Sequence, residues 1–373
     1  MRLNLSGCFS LTTFASNSNN LTSLQYLNLR SCGKVSKFSM TLENIVKLNL
    51  MGCPINALPS SFGCQSKLET LALRATEIES MPSSIKDLTR LRKLDIQHSE
   101  KLVALPELPS SVETLLVRDC YSLKTVLFPS TVAEQLKENK KRVEFWNCRN
   151  LDERSLINIG LNMQINLMKY AHQRLSTLEH DDYVDYKDYY YSHEGVYMYP
   201  GSSVPDWLEY KTTENNMIID LSQPHLSHLL GFVFCFVIDD TDIIAFDLEI
   251  KLKIATIEGD DEKEGVGIYL SMSLDVHSDH VCMIYNQRCS QYLTRIAKNQ
   301  TSFKIKVTVW STGWIEEPIR EVKLKRFGMS PINQSTYQNL IQQMEYECAE
   351  GEGKNNTVYE GKQTKCVEEA NKV

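Results

Sequence analysis

The sequence predicts an α/β solenoid of short stacked strands followed by an all-β sandwich, and three observations carry that expectation. Two apolar residues two positions apart, with a small residue three positions after the second, recur seven times in the first 150 residues. Helical periodicity takes over near residue 151. From Tyr197 onward, apolar and polar residues alternate in strand-length runs.

The repeat reads Leu3-x-Leu5-x-x-Cys8, Leu27-x-Leu29-x-x-Cys32, Leu48-x-Leu50-x-x-Cys53, Leu71-x-Leu73-x-x-Thr76, Leu94-x-Ile96-x-x-Ser99, Leu115-x-Val117-x-x-Cys120 and Val143-x-Phe145-x-x-Cys148. The second apolar positions are spaced by 24, 21, 23, 23, 21 and 28 residues. All but the last step fall in the 20–29 residue period of leucine-rich repeats, and the last accommodates a small insertion. Such an array buries its core by stacking and leaves a concave strand face in solvent, a surface suited to binding rather than catalysis. Leu58-Pro59-Ser60-Ser61-Phe62 and Met81-Pro82-Ser83-Ser84-Ile85 follow their strands at one offset, with Leu105-Pro106-Glu107-Leu108-Pro109 as a variant. Proline there forces an irregular convex segment, and the serines are expected to cap short turns. The array opens at residue 1 without a capping segment, which predicts a longer parent chain.

Charge divides the chain. Residues 1–150 hold 19 Lys and Arg against 13 Asp and Glu, and the remainder holds 21 against 34. That balance lacks the concentrated positive surface a nucleic-acid binder needs. Of the 11 cysteines, Cys8, Cys32, Cys53, Cys120 and Cys148 share one repeat position with Thr76 and Ser99. A position that exchanges thiol for hydroxyl is a ladder of small inward side chains, not a set of disulfides, and this predicts reduced thiols and an intracellular protein. The longest apolar run, Leu229–Ile238, is too short to span a membrane. With no secretory signal, the sequons at Asn4, Asn20, Asn299, Asn333 and Asn355 read as chance matches.

These signals divide the chain into repeats over 1–150, a capping helix over 151–178 and an acidic Tyr-rich linker over 179–196. A sandwich over 197–330 and a short helix with a disordered acidic tail over 331–373 follow. Thr131 and Glu134 form a capping box ahead of the final repeat. In the helix, Leu156, Ile159, Met163, Leu167 and Tyr170 share a face, with Ile165 and Met168 beside it, so it is placed to close the open end of the array. Strands are expected at 217–221, 231–238, 246–254, 268–276, 281–285, 303–309 and 322–324, with 231–238 covered on both faces because its apolar run is unbroken.

The Leu-Pro-Ser-Ser repeats, the segment Cys148–Leu156 and the run Tyr199-Pro200-Gly201-Ser202-Ser203-Val204-Pro205-Asp206-Trp207 together resemble the C-terminal half of plant TIR-NB-LRR disease-resistance receptors. Gly231-Phe232-x-x-Cys235 and Ser278-Asp279-His280-Val281 fit the domain that follows the repeats there, a C-terminal jelly-roll and Ig-like sandwich. The resemblance covers residues 1–346 and makes Pro200, Gly201, Pro205, Trp207, Gly231 and His280 its signature positions. It implies that repeats and sandwich together contact a pathogen effector or a guarded host protein, with TIR and NB-ARC domains upstream in a full-length receptor. This sequence contains no G-x-x-x-x-G-K-[ST] phosphate loop and no Met-His-Asp triplet, so ATP binding, NAD cleavage and self-assembly are not carried over.

His225-x-x-His228 and His277-x-x-His280 lie in strand or loop text without the spacing of a zinc site and read as surface or locally hydrogen-bonded histidines. Cys282 and Cys289 read as buried structural thiols, because no motif places an acid to orient a base. Asp247 and Glu249 read as a solvated strand face. Trp207 reads as an anchor of the first sandwich strand held by the turn around Pro200, Gly201 and Pro205. The position after each second apolar residue gives a concave column of Ser6, Arg30, Met51, Arg74, Gln97, Arg118 and Trp146. Arginine and tryptophan dominate interface energetics, so Arg30, Met51, Arg74, Gln97, Arg118 and Trp146 are the expected protein-binding residues, projecting into solvent from the strands. The reading is a non-enzymatic recognition module with no metal or cofactor, no nucleic-acid or membrane partner and cytoplasmic residence, with the nucleus as the alternative compartment. A lectin-like repeat protein and a hydrolase with a site in the sandwich are the alternatives.

Overall fold

The computed structural model describes residues 1–12, 14, 21–38, 42–129, 131–175, 194–221, 229–238, 244–258, 261–263, 265–275, 278–300, 302–312, 320–321, 324–333 and 335–342. Side chains alternate along a strand, so both apolar residues of each repeat turn to one side and the residues between and around them to the other. Strands β1 (Arg2–Asn4), β2 (Tyr26–Asn28), β3 (Lys47–Asn49), β4 (Thr70–Ala72) and β5 (Lys93–Asp95) pair in parallel with Leu3, Leu27, Leu48, Leu71 and Leu94 in register. After β6 (Ala104–Leu105) come β7 (Thr114–Leu116), β8 (Thr125–Val126) and β9 (Arg142–Glu144). Of these, β7 and β9 continue the sheet, whereas β6 and β8 form a separate parallel pair. Leu27, Leu29, Leu71, Leu73, Leu94 and Ile96 are wholly buried in one continuous core.

The small-residue column is a hydrogen-bonded ladder. Cys32 Sγ donates to the Leu5 carbonyl at 3.2 Å, Cys53 to Leu29 at 3.0 Å, Cys120 to Ile96 at 3.2 Å and Cys148 to Val117 at 3.2 Å. Thr76 donates to Leu73 and lies 3.1 Å from Ser99, whose hydroxyl donates to the same carbonyl. The nine described cysteines are all free thiols. Burial pushes the Cys53 thiol up to about 11, so it stays protonated and keeps donating. Cys53→Thr should therefore change stability by about 1 kcal/mol or less. Cys53→Leu should cost about 1–3 kcal/mol by overpacking, the two being compared by urea midpoints.

On the outer side, Pro59 and Pro82 are the N-caps of short 3-10 helices, Ser60–Cys64 and Ser83–Asp87, which bury Phe62 and Ile85. Neither helix has a side-chain cap. The expected serine caps are thus replaced by a bond between turns, in which the Gly63 N–H donates to Ser84 Oγ at 3.2 Å.

Half of the expected capping box forms: Glu134 N donates to Thr131 Oγ1 at 3.3 Å, starting α1 (Val132–Gln135), while the Glu134 carboxylate accepts from the Thr131 hydroxyl at 3.0 Å and not from its backbone N–H. Helix α2 (Glu153–Leu175) buries Ile159, Met163, Leu167 and Tyr170 against the repeat core, while Ile165 and Met168 join Leu340 in a small separate cluster. The helix does not end the sheet. Strand β10 (Glu194–Pro200) lies parallel beside β9, with Tyr197 in register with Val143, and so occupies the place of an eighth repeat strand. Residues 179–193, most of the stretch read as a linker, lie outside the described residues, as do His225, His228, His277 and the tail from 343.

The remaining strands are β11 (Tyr210–Thr212), β12 (Asn216–Asp220), β13 (Leu229–Ile238), β14 (Ile244–Glu258), β15 (Asp261–Glu262), β16 (Val266–Asp275) and β17 (His280–Asn286). Helix α3 (Gln287–Ala297), β18 (Ser302–Thr312), β19 (Arg320–Glu321) and β20 (Leu324–Asn333) complete them. The order β9-β10-β17-β13-β20-β11 makes one face of the sandwich a continuation of the repeat sheet. A second sheet runs β12-β18-β14-β15, with β16 on β14 and β19 on β18. As its unbroken apolar run predicts, β13 is buried on both faces. Val233, Cys235 and Val237 join the repeat core, whereas Phe232, Phe234 and Phe236 pack with Phe303, Ile305, Val307 and Val309 of the second sheet.

The sandwich is not all-β. Asn286 caps α3 by accepting from the Cys289 N–H at 2.9 Å, and Cys289 and Leu293 are buried. This helix went unread because its buried face is short. It closes on β13 at Gly231, where φ is +154° and an added Cβ would come within 2.9 Å of Ser290. The Ser290 hydroxyl accepts from Phe232 N and donates to Phe232 O, both at 3.1 Å.

Candidate recognition surface

Three columns of side chains line the concave face of the repeats. The first is Arg2, Tyr26, Lys47, Thr70, Lys93, Thr114 and Arg142. The second is Asn4, Asn28, Asn49, Ala72, Asp95, Leu116 and Glu144, and the third is the predicted column. Arg30 is exposed and Met51 half-buried, as solvent-facing strand residues should be. Further along, the solvated face gives way to a paired and then a buried one, Arg74 being half-buried like Met51. Arg74 donates to Gln97 Oε1 at 3.0 Å and lies 3.7 Å from Asp95, and Gln97 Nε2 donates to Asp95 at 3.0 Å. Gln97 is only 4% exposed and Asp95 7%. Arg118 is ion-paired with Glu144, which has no exposed surface and also holds Arg142. Burial opposes ionisation of Glu144, and the Arg142 and Arg118 guanidiniums overcome it, holding its carboxyl below the usual range.

Trp146 departs furthest from the prediction. It is 2% exposed and sits in the sandwich core, because the second sheet covers the concave face where β9 meets β10. Its ring stacks on His280 with centroids 4.3 Å apart, and its indole N–H has no partner among the described residues.

His280 has a structural office at this junction. One residue in each repeat has left-handed backbone: Gly7, Ser31, Gly52, Ala75, His98, Asp119 and Asn147. In the first six, its N–H donates to the third-column carbonyl of the next repeat, from Gly7 N to Arg30 O through to Asp119 N to Trp146 O, at 2.7–2.8 Å. Asn147 has no further repeat to bond, and its N–H donates instead to His280 Nε2 at 2.9 Å. His280 Nδ1 in turn lies 2.6 Å from the Ser278 carbonyl, which fixes the neutral Nδ1–H tautomer. The side chain thus replaces a backbone carbonyl and ties the sandwich to the last repeat.

Burial lowers the pKa of His280 from 6.5 to about 4, against the opposing pull of the Ser278 carbonyl and of Asp279 and Asp119. An unfolded chain therefore binds a proton between those values that the folded chain does not, so stability is full above pH 6.5 and falls as pH drops. The expected loss is about 2 kcal/mol by pH 5 and about 3 kcal/mol by pH 4. In His280→Gln, the stability difference between pH 7 and pH 5 should shrink by about 2 kcal/mol, as read by urea midpoints.

The other signature residues shape the same junction. Pro200 pairs with His280 in register, and Gly201 lies so close to Val281 that an added Cβ would approach it to 3.0 Å. Leu208 N donates to Pro205 O at 3.2 Å, and Trp207 packs, half-buried, against the repeat core and beside Leu340. Gly328, which no sequence motif marks, lies beneath Val204, where a Cβ would come within 2.4 Å. Cys282 and Cys289 are buried in the sandwich core. Among the described residues no group of three or more His, Cys, Asp or Glu could hold a metal ion, and no helix is long and apolar enough to cross a membrane.

Stacked parallel strands and a two-layer extension define a leucine-rich-repeat protein with a fused β-sandwich. Residues 199–357 match the C-JID domain, the segment that carries the signature positions. The chain is 25% identical over 311 residues to disease resistance protein RPS4B of Arabidopsis thaliana, covering 65% of this chain and 25% of that protein. Disease resistance protein RPS4 of the same plant is 27% identical, over 64% of this chain and 19% of its own length. TMV resistance protein N of Nicotiana glutinosa is 26% identical, over 52% and 16%. The resemblance to TIR-NB-LRR disease-resistance receptors therefore holds, and the chain spans about a fifth to a quarter of the length of the first two relatives. Among solved structures, the leucine-rich repeat domain of the type III effector XopL is 21% identical with a TM-score of 0.34, covering 40% of this chain and 54% of its own.

Proposed function

We propose that the chain is the non-enzymatic recognition module of an intracellular plant immune receptor. It would bind a pathogen effector, or the host protein the receptor guards, as the C-terminal part of a receptor whose TIR and NB-ARC domains precede it. The carrying observation is the concave sheet, whose outward residues in the first repeats take no part in the core. Similarity to plant resistance proteins supports the immune role. The thiol ladder supports a reducing compartment.

The test is to immobilise the purified chain and pass candidate pathogen and host proteins over it, alongside a glycan array and an NAD-consumption assay. At least one protein should bind with a Kd in the micromolar range or tighter, and NAD should stay intact. Turnover of NAD, or glycan binding without any protein ligand, would overturn the proposal.

A further inference from the structure

The concave sheet is electrostatically divided. In its second half the buried acids Asp95 and Glu144 hold Arg74, Arg118 and Arg142, so that, apart from the exposed Lys93, the cations of that stretch already face a carboxylate. In the first three repeats the strand segments read Arg2–Ser6, Tyr26–Arg30 and Lys47–Met51 and contain no acid. Arg2, Arg30 and Lys47 are exposed, and among the described residues none of the three is paired with a carboxylate. Arg2 lies over the Tyr26 ring at 5.4 Å, and Tyr26 and Met51 are half-buried between the cations. Neighbouring strands are about 4.8 Å apart, so Arg2 and Lys47 stand about two strand spacings from each other, and Arg30, four residues along its strand from Tyr26, stands about 13 Å further along the face. The Asn4, Asn28 and Asn49 side-chain oxygens already accept the N–H of Ser6, Arg30 and Met51, which leaves recognition to the cations and the two apolar side chains.

From this we infer that the concave face of the first three repeats is the docking surface, and that it takes an acidic segment of a partner protein, anchored by Arg2, Arg30 and Lys47 around Tyr26 and Met51. The inference rests on the recognition function proposed above and moves its anchors away from Arg74 and Arg118. Charge complementarity commits the occupant to an acidic one, because cations without local acids gain most from meeting carboxylates. Tyr, Arg and Met are the residues enriched at protein interfaces. Three cations are too few for a polynucleotide, whose affinity grows with the number of phosphates neutralised.

The test uses the whole chain and three fluorescein-labelled probes followed by anisotropy: a dodecapeptide alternating Glu and Leu, its Lys and Leu counterpart, and dodecathymidylate. The acidic peptide should bind, the basic one should not, and dodecathymidylate should bind more weakly. Arg30→Glu with Lys47→Glu should weaken the acidic peptide by about tenfold or more. Lys86→Glu with Arg90→Glu, on the opposite side of the repeats, should leave it unchanged, with circular dichroism confirming that both variants fold. No binding of the acidic peptide, equal loss in both variants, or tighter binding of dodecathymidylate would overturn the inference. A protein ligand that binds the Arg30→Glu, Lys47→Glu variant as well as it binds the parent would also overturn this placement, while leaving the recognition function standing.

Discussion

Arg118→Glu should destabilise the last repeats by about 3–5 kcal/mol, although the position belongs to the column that in repeat two presents a solvated arginine. The cause is Glu144, which has no solvent exposure and is neutralised by Arg118 from one neighbouring strand and by Arg142 on its own. Reversal sets two carboxylates against each other with one guanidinium between them, in a site where water cannot screen the repulsion. Arg30→Glu, at the equivalent exposed position, should change stability by only about 0.5 kcal/mol. Urea midpoints of the two variants decide the point, and equal small shifts would show that Glu144 is better solvated than its burial indicates. Arg118→Glu with Glu144→Lys should recover part of the loss by restoring an opposed pair. Loss of partner binding in Arg118→Glu would therefore report a damaged fold, not a removed contact.

The contrast between Arg30 and Arg118 marks what the sequence could reveal. The strand positions were legible because the core repeats the same demand every 21–28 residues, and Leu, Val or Ile answers it at all but Phe145. The small-residue ladder was legible for the same reason, since Cys, Thr and Ser are interchangeable only where one short donor meets one carbonyl. The concave column was misread beyond the third repeat because exposure is not a property of the repeat. It depends on whether something lies over the strand, and what lies over Trp146 includes His280, 134 residues away. No local pattern encodes that distance. His280 itself was marked by resemblance, but its role as the acceptor for Asn147 emerges only when the six preceding N–H to carbonyl bonds are seen to lack a seventh. Helix α3 left little trace in the sequence because its buried face is only Cys289, Ser290 and Leu293.

Glu138→Leu should be comparably damaging, at about 3–5 kcal/mol, for a reason the sequence conceals. Glu138-Asn139-Lys140-Lys141-Arg142 has the composition of a solvated charged run, yet Glu138 is 1% exposed and Lys140 3%. The two form an ion pair inside a hydrogen-bonded network. Glu138 Oε2 accepts from Asn162 at 2.6 Å and from Asn166 at 3.3 Å, and Asn166 Oδ1 accepts from the Lys140 N–H at 3.0 Å. Lys169 Nζ donates to the Glu138 carbonyl at 2.6 Å, and the Tyr197 hydroxyl donates to the Lys140 carbonyl. One network thus joins the last repeat to α2 and to β10, the strand that carries the sheet into the sandwich. Burial lowers the pKa of Lys140 and the Glu138 carboxylate opposes that shift, so removing the carboxylate leaves an ammonium group with neither water nor counterion. Glu138→Gln keeps the shape and most hydrogen bonds and should lose less than Glu138→Leu. The double variant Glu138→Leu, Lys140→Met removes both charges and should recover much of the single variant's loss, since a buried pair replaced by apolar groups is often neutral. Urea midpoints for the three variants test this, and a double variant no more stable than Glu138→Leu alone would place the stabilisation in the asparagine and lysine hydrogen bonds instead of in the ion pair.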